Sequence, residues 1–398
     1  MSNFLADSSY LAVKPQSAAA TPVIPTDFVP LIEESIRVNA NYAADRRMKG
    51  LSWKSDELLK ANRTIEGDLR VYCDPDNLGH LLNMAFAKGS TTGDATDGYT
   101  HPFTVGDGKH YSLEVSRGEF ATRIFGARAD RLRIEFEENK MASVVSIKAL
   151  GQFQAASLAV ALTGAGMTEV VLSTDYDLRP ADGLVVGDVI RVGGVDVTLT
   201  SVNANGTTVG FASTSITASV GDTVYLLAQT PSFSALQEPF YMGNTLVGFG
   251  DDESAATTAA GARATAVPCY DLSTEFMQNL LDAPASGATG PSVLLNQTRE
   301  GALELRRLFE DPEQMQKYLE NKETAVTLIA TGRHIKSDLT TSELLTIKYF
   351  RTKLVDLEEP LNVGEYIYDA ETREVLYDSS EAKAVTFALV NRTAGGSY

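Results

Sequence analysis

Four histidines, His80, His101, His110 and His334, are scattered along the chain. None has the His-x-x-x-His or His–carboxylate spacing of a metal site. No Gly-x-Ser-x-Gly elbow, cysteine–histidine pairing cue or phosphate loop is present, and abundant Asp and Glu do not by themselves set two carboxylates across a cleft. Gly248-Phe249-Gly250 followed by Asp251, Asp252 and Glu253 has the outline of a phosphate or calcium loop. It lacks both the P-loop Lys-Ser/Thr and the calcium-loop spacing, so it is read as an acidic turn inside a polar loop over Gly248–Ala266. Cys73 and Cys269 are the only cysteines, far apart, and are expected to be reduced, buried and small. No catalytic residue, metal or cofactor is expected, and no enzyme.

What remains is the chemistry of contact. Ala44 to Asn62, ADRRMKGLSWKSDELLKAN, carries Arg46, Arg47, Lys49, Lys54 and Lys60 together with the only tryptophan, Trp53. The gap is too long for a hairpin turn and reads as a loop with a short helical piece at Ser55–Ala61. Such a segment is either a solvated loop or a protein–protein contact with an aromatic anchor and a charge that seeks an acidic partner.

The elements that must position such residues begin with Thr64–Gly89. Ile65, Leu69, Val71 and Cys73 alternate with Glu66, Asp68, Arg70 and Tyr72, the period of a strand with one buried face. Leu78, Leu81, Leu82, Ala85 and Phe86 then recur at helical spacing, with Asp74 as cap, Pro75 in the first turn and Gly89 at the end, so a helix over Asp76–Lys88 should lay one stripe on a sheet. Phe103–Val105 and His110–Ser116 flank a Gly-Asp-Gly turn in the order of a hairpin. In RLRIEFE, Leu132, Ile134 and Phe136 point inward and Arg131, Arg133, Glu135 and Glu137 outward. Met141–Phe153 follows as a further strand of an antiparallel meander.

Residues 1–13 are expected to be a mobile terminus unless they dock on a neighbour, and Lys14–Pro30, with four prolines, an extended connector. Ile32–Tyr42 reads as a strand. At Ala155 the composition shifts to Val, Thr, Gly and Ser. The similar pieces VGDVIRV at 186–192 and VGDTVYL at 220–226 mark a small all-β insert over Val170–Gln229, expected as a five- or six-stranded barrel. Asp311–Asn321 is a second short helix, with Gln314 completing a capping box. Ala325–Ala330, Leu344–Phe350 and Val385–Val390 are closing strands. The expected class is mainly β, a β-sandwich or curled antiparallel sheet with a flanking short helix. Its parts are an arm and connector at 1–30, a body split between 31–165 and 231–398, and an insert at 166–230.

The 398 residues hold 52 acids and 34 bases, a formal net charge of −18, which argues against a surface that grips nucleic acid. It permits a duct for DNA, since basic walls would hold phosphate and act as brakes; it also suits simple solubility. No apolar run reaches the roughly 20 residues of a membrane helix, and no membrane partner is expected.

The segments YLAVKPQ and ATPVIPTDFVPLIEESI, then EGDLRVYCDPDNLGHLLNMAFAKG, resemble the tail tube (major tail) proteins of long-tailed bacteriophages. The resemblance returns in EDPEQMQKYLENKETAVTLIATGRHI and AVTFALVNRT, and covers residues 10–160 and 230–395. It implies a subunit that closes homohexameric rings which stack into a hollow conduit. The implied partners are further copies, tape measure, tail terminator and distal tail proteins, and phage DNA in transit without specific binding. The implied place is the virion tail, with assembly in the host cytoplasm. It further implies that the loop with Arg46, Arg47, Lys49, Trp53 and Lys54 reaches toward the adjacent ring, with Glu358, Glu359 and Glu365 as conceivable acidic partners. Glu66, Asp68, Glu135 and Glu137 are the candidates for the lumen wall, where Arg70, Arg131 and Arg133 would need acidic partners on an adjoining strand or subunit. The alternative is a tail-tip or adhesin-type protein whose β-insert recognises a host surface.

Overall fold

The computed structural model of the chain describes every residue except 1–8, 45–57, 138, 175–178, 234–237, 285–289, 310–312, 337–340, 360–366 and 395–396, and the backbone alone at 40–44, 58–62, 137, 284 and 313. In chain order the body begins with β1 (Leu11–Pro15), β2 (Asp27–Val29), β3 (Glu33–Glu34), β4 (Arg37–Ala44) and β5 (Leu58–Tyr72). Helix α1 (Leu78–Ala85) leads into β6 (Ala87–Lys88), β7 (Thr92–Asp94), β8 (Gly98–Thr104), β9 (Tyr111–Arg117), β10 (Phe120–Glu137), β11 (Lys140–Ala149) and β12 (Gly151–Phe153). A separate sheet follows, made of β13 (Ala155–Ser157), β14 (Leu162–Val171), β15 (Val189–Val192), β16 (Val195–Val202), β17 (Thr208–Ala218) and β18 (Thr223–Leu226). The body resumes with β19 (Thr245–Gly250), α2 (Glu253–Ala260), β20 (Cys269–Met277), the ribbon of β21 (Leu281–Pro284) and β22 (Pro291–Leu295), and β23 (Glu300–Leu308). It ends with α3 (Glu313–Leu319), β24 (Glu323–His334), β25 (Ser342–Glu358), β26 (Tyr368–Leu376) and β27 (Val385–Asn391).

The chain is mainly β, and its strands pair antiparallel in large sheets that do not close into a barrel. Two long strands organise the body, because each changes partners midway. The first half of β10 pairs with β9 and β12 and its second half with β20 and β11. Gly126, at φ 64°, sits where the register shifts between Ile124 and Ala127, a left-handed position that a side chain would strain. β25 likewise pairs along one edge with β24 and along the other with β27 and then β26. One uninterrupted run of pairings, β4, β5, β11, β10, β20, β23, β26 and β25, therefore makes a broad sheet. Its alternating apolar side chains, among them Leu69, Val71, Leu132, Ile134, Leu272, Leu303 and Leu305, enter one continuous core.

Helix α1 sits inside that core. All eight of its residues are buried, His80 and Asn83 included, so it is enclosed rather than laid on a sheet by one stripe. Asp74 organises its start, accepting from the Asp76 and Asn77 N–H groups at 3.0 Å. The helix is shorter than expected and stops before Gly89, because Phe86 is extended and Ala87–Lys88 pairs with β8. Its end also separates two strands expected to form a hairpin: Lys109 N–H donates to Asn83 O at 2.8 Å, β8 pairs with β27, and β9 pairs with β1 and β10.

Three further expectations give way, two of them to long-range pairing. Tyr10, Leu11, Ala12 and Val13 are fully buried, and β1 lies between β2 and β9. Leu58–Ala61 is strand rather than helix, since β5 runs back along β4 to the pair Ala44↔Leu58. That forms a two-stranded ribbon whose tip, 45–57, lies outside the described residues. The polar loop at Gly248–Ala266 contains helix α2, with the Asp252 carboxylate accepting from Ala255 N–H at 2.8 Å. Gly248 and Gly250 serve packing here: a Cβ on either would fall 2.2 Å from Ala256 O or 2.4 Å from Ala256 N. No described helix is long and apolar enough to cross a membrane.

The six-stranded sheet, in the order β13-β18-β15-β16-β17-β14, has its own hydrophobic cluster and starts at Ala155, ahead of the expected boundary. A bridge between Leu158 and Leu172 joins its outermost strands at one end. A buried ion cluster fastens it to the body. Arg123 Nη2, on β10, meets Glu114 Oε2 at 2.6 Å and Asp188 Oδ1 at 2.9 Å, with all three side chains at 2 % exposure or less. Tyr10 Oη donates to Glu114 Oε1 at 2.6 Å, and Gln229 Nε2 to Glu114 Oε2 at 3.0 Å. Burial raises the Asp188 carboxyl, and raises the Tyr10 hydroxyl with help from Glu114. Burial alone would lower Arg123, but Asp188 and Glu114 more than offset it and its pKa is raised.

Candidate functional site

The polar face of the broad sheet is where the sequence-derived residues meet. On β5 the inward set Ile65, Leu69 and Val71 leaves Glu66, Asp68 and Arg70 outward, and the β11 register places Lys148, Ser146 and Val144 opposite them. On β10, Leu132 and Ile134 point in, and Arg131, Arg133 and Glu135 share the face of Arg70. Glu66, Asp68 and Glu135 therefore stand on one surface. Of Glu137 only the backbone is described, paired with Lys140. Arg46, Arg47, Lys49, Trp53 and Lys54 lie outside the described residues, as does Glu365.

The arginines of this face have acidic partners within the chain. Arg70 reaches across β11 to Glu135 at 3.0 Å, Arg133 meets the other oxygen of Glu135 at 3.0 Å, and Arg131 meets Glu275 of β20 at 2.5 Å. Ser146 Oγ donates to Asp68 at 2.5 Å, Asn39 Nδ2 to Glu66 at 2.5 Å, and Lys148 lies 3.5 Å from Asp130. These half-exposed pairs each contribute about 0–1 kcal/mol. Their effect is on the field: the basic side chains are held against carboxylates, so the face offers phosphate little to grip.

No protein-family model matches the chain, and no curated protein is similar to it in sequence.

Toward one end of the same face the charge is unbalanced. The ends of β5, β10, β20, β23, β26 and β25 that carry Tyr72, Glu137, Cys269, Leu308, Tyr368 and Glu358 lie together by their antiparallel registers. A groove of 540 Å³ runs across them, and into it point the exposed carboxylates Asp271, Glu304, Asp356 and Glu358. Among the described residues none of these four is in an ion pair. Beside them the Arg306 guanidinium lies 4.1 Å from the centre of the Tyr368 ring, and Tyr368 meets Tyr270 edge-on at 5.5 Å. Sequence reading drew no face from β20 and β23. The alternation was there, Asp271, Ser273 and Glu275 against Leu272, Thr274 and Phe276, and Glu304 and Arg306 against Leu303 and Leu305.

The opposite face of β23 and β26 is polar but internal. Arg373 and Glu371, both essentially unexposed, are 2.6 Å apart, Arg307 meets Asp369 at 3.0 Å, and Arg373 Nη1 donates to Thr324 at 2.7 Å. Gln314 of α3 accepts from Arg373 at 3.2 Å, and Asp311, the expected cap, lies outside the described residues. Two histidines, His80 and His101, are packed in the interior. His80 has its ring edge-on to Tyr398 at 4.8 Å and Tyr111 at 5.9 Å, and burial, aided by Lys88, pushes its pKa down to about 3. His101 Nε2 lies 3.0 Å from Asn391 Oδ1. Both cysteines are free thiols, and burial pushes each up to about 12. Among the described residues no group of three or more His, Cys, Asp or Glu side chains is placed to hold a metal.

Proposed function

We propose that the chain is a structural subunit of a bacteriophage tail tube, closing rings that stack into a hollow conduit for DNA. The observation that carries this reading is the broad antiparallel sheet with one face in the core and the other covered by internally paired charge. A wall of that kind is wetted and close to neutral over the Arg70–Glu135–Arg133 cluster and acidic at Asp271, Glu304, Asp356 and Glu358. Phosphate passing such a wall is repelled weakly, within a Debye length of about 8 Å at physiological salt, and is not held. The ribbon of β4 and β5, which leaves the body beyond the last β11 pair at Ile65, supports assembly, since β4 keeps one edge unpaired among the described strands. Electron microscopy of the purified chain tests the proposal. Hexameric rings or hollow polymers are expected. A discrete monomer or trimer at every concentration would contradict it and favour a host-binding module.

A further inference from the structure

At the end of the strands opposite the acidic groove, the body's core opens to solvent. A cavity of 330 Å³ lies there, where the last residues of α1, β20 and β26 meet the first of β23 and β27. Its floor is aromatic. Phe86 and Phe276, both buried, stand edge-on at 5.5 Å, and behind them Phe387 lies 4.6 Å from Phe86 and 5.4 Å from Phe276. Gly301 keeps the cavity open: a Cβ on it would fall 3.1 Å from Val375 Cβ and 3.3 Å from Phe276 Cδ1, so a larger side chain there would fill the space beside the Phe276 ring.

The polar groups at the mouth set the chemistry of what fits. Among the described residues Arg299 and Glu300 are the only charged side chains of the lining, one of each sign, and Arg299 is already held by Asp107 at 2.7 Å. A net charge on a ligand would therefore gain from one and lose to the other. Gln278, 5 % exposed, lines the same wall. Its Oε1 accepts from Arg128 at 3.3 Å, and among the described residues its Nε2 has no acceptor. A nearly buried amide N–H without a partner costs free energy that an acceptor entering the cavity recovers.

We propose that this cavity is a binding site for a neutral aromatic molecule that carries a hydrogen-bond-accepting oxygen, its ring edge-on to Phe86 and Phe276 and its oxygen at Gln278 Nε2. Aromatic walls favour a ring that continues their edge-to-face packing over a saturated ring of the same skeleton. The volume falls in the range of small-molecule pockets, about 300–1,000 Å³. The site is formed within one chain, so it stands or falls independently of the assembly reading.

Titration calorimetry of the full chain with 2-naphthol tests it. Saturable one-to-one binding with a Kd of about 0.1 mM or lower is expected. 2-Naphthoate, the same rings with an anionic head, and decahydro-2-naphthol, the same skeleton without aromaticity, should each bind about 5-fold or more weakly. Gly301→Leu fills the cavity and should abolish 2-naphthol binding. Ala384→Leu fills it from the β27 side and serves in its place if circular dichroism shows the first variant unfolded. Gln278→Met should weaken 2-naphthol by about 5-fold, the loss of one uncharged hydrogen bond. A wild type without saturable binding, naphthoate or the saturated analogue binding as tightly as 2-naphthol, a folded cavity-filled variant that still binds it, or an affinity untouched by Gln278→Met would each overturn the proposal.

Discussion

Arg123 is the side chain on which most depends locally, because its charge offsets two buried carboxylates from different parts of the chain. Replacing it with Met leaves Glu114 and Asp188 facing each other in the interior, and breaking a buried pair in this way costs about 3–5 kcal/mol. Urea unfolding of Arg123→Met should show a loss of that size, and the triple change with Glu114→Gln and Asp188→Asn should recover much of it. A loss below about 1 kcal/mol would mean that the cluster is solvated. His80 makes a pH statement. Its folded pKa, about 3, lies below its ordinary 6.5, so between those values the unfolded chain takes up a proton that the folded one refuses. Stability should fall as the pH drops through that window, by about 1.4 kcal/mol per unit, and be untouched by this group above it. Asp74, raised by burial to about 6, has the opposite sign: its contribution is lost as the pH rises toward 6. The comparison of wild type with His80→Leu isolates the histidine, and parallel stability profiles for the two would refute the assignment.

At the scale of elements, local pattern and long-range pairing divide the fold between them. The alternations of Ile65–Cys73 and Arg131–Phe136 were legible because one buried face imposes period two on contiguous residues, and the registers of β5, β10 and β11 follow it. Three arginines that were expected to need acids have them. β1 was not legible, since a short apolar run among polar residues becomes a strand only when β2 and β9 flank it. Leu58–Ala61 looked helical for the same reason, with its partner fourteen or more residues earlier, at Ala44 and before. In α2 the alanine-rich turn was hidden behind the Gly248 and Gly250 signal, which turned out to serve close packing. The ribbon is the element whose role is separable from the fold. Removing residues 45–57 and joining Ala44 to Leu58 through Asn-Gly supplies a tight hairpin turn without touching the core. That protein should keep its circular dichroism spectrum and thermal midpoint within a few degrees while losing assembly by sedimentation. A truncated chain that assembles normally would remove the ribbon from any contact.

For the whole molecule, one sheet supplies both a face and an axis. Its polar face carries Glu66, Asp68 and Glu135 among paired arginines, and its strands run from the β4–β5 ribbon at one end to an acidic groove at the other. If copies join along that axis, the paired-charge face should line a continuous surface from copy to copy. The most direct measurement is a cryo-electron microscopy reconstruction of the assembled chain. It should show a hollow polymer with Glu66, Asp68 and Glu135 toward the central channel and the β4–β5 ribbon crossing to the next ring. A solid or discrete particle, or a tube with those three carboxylates on its outer surface, would contradict it.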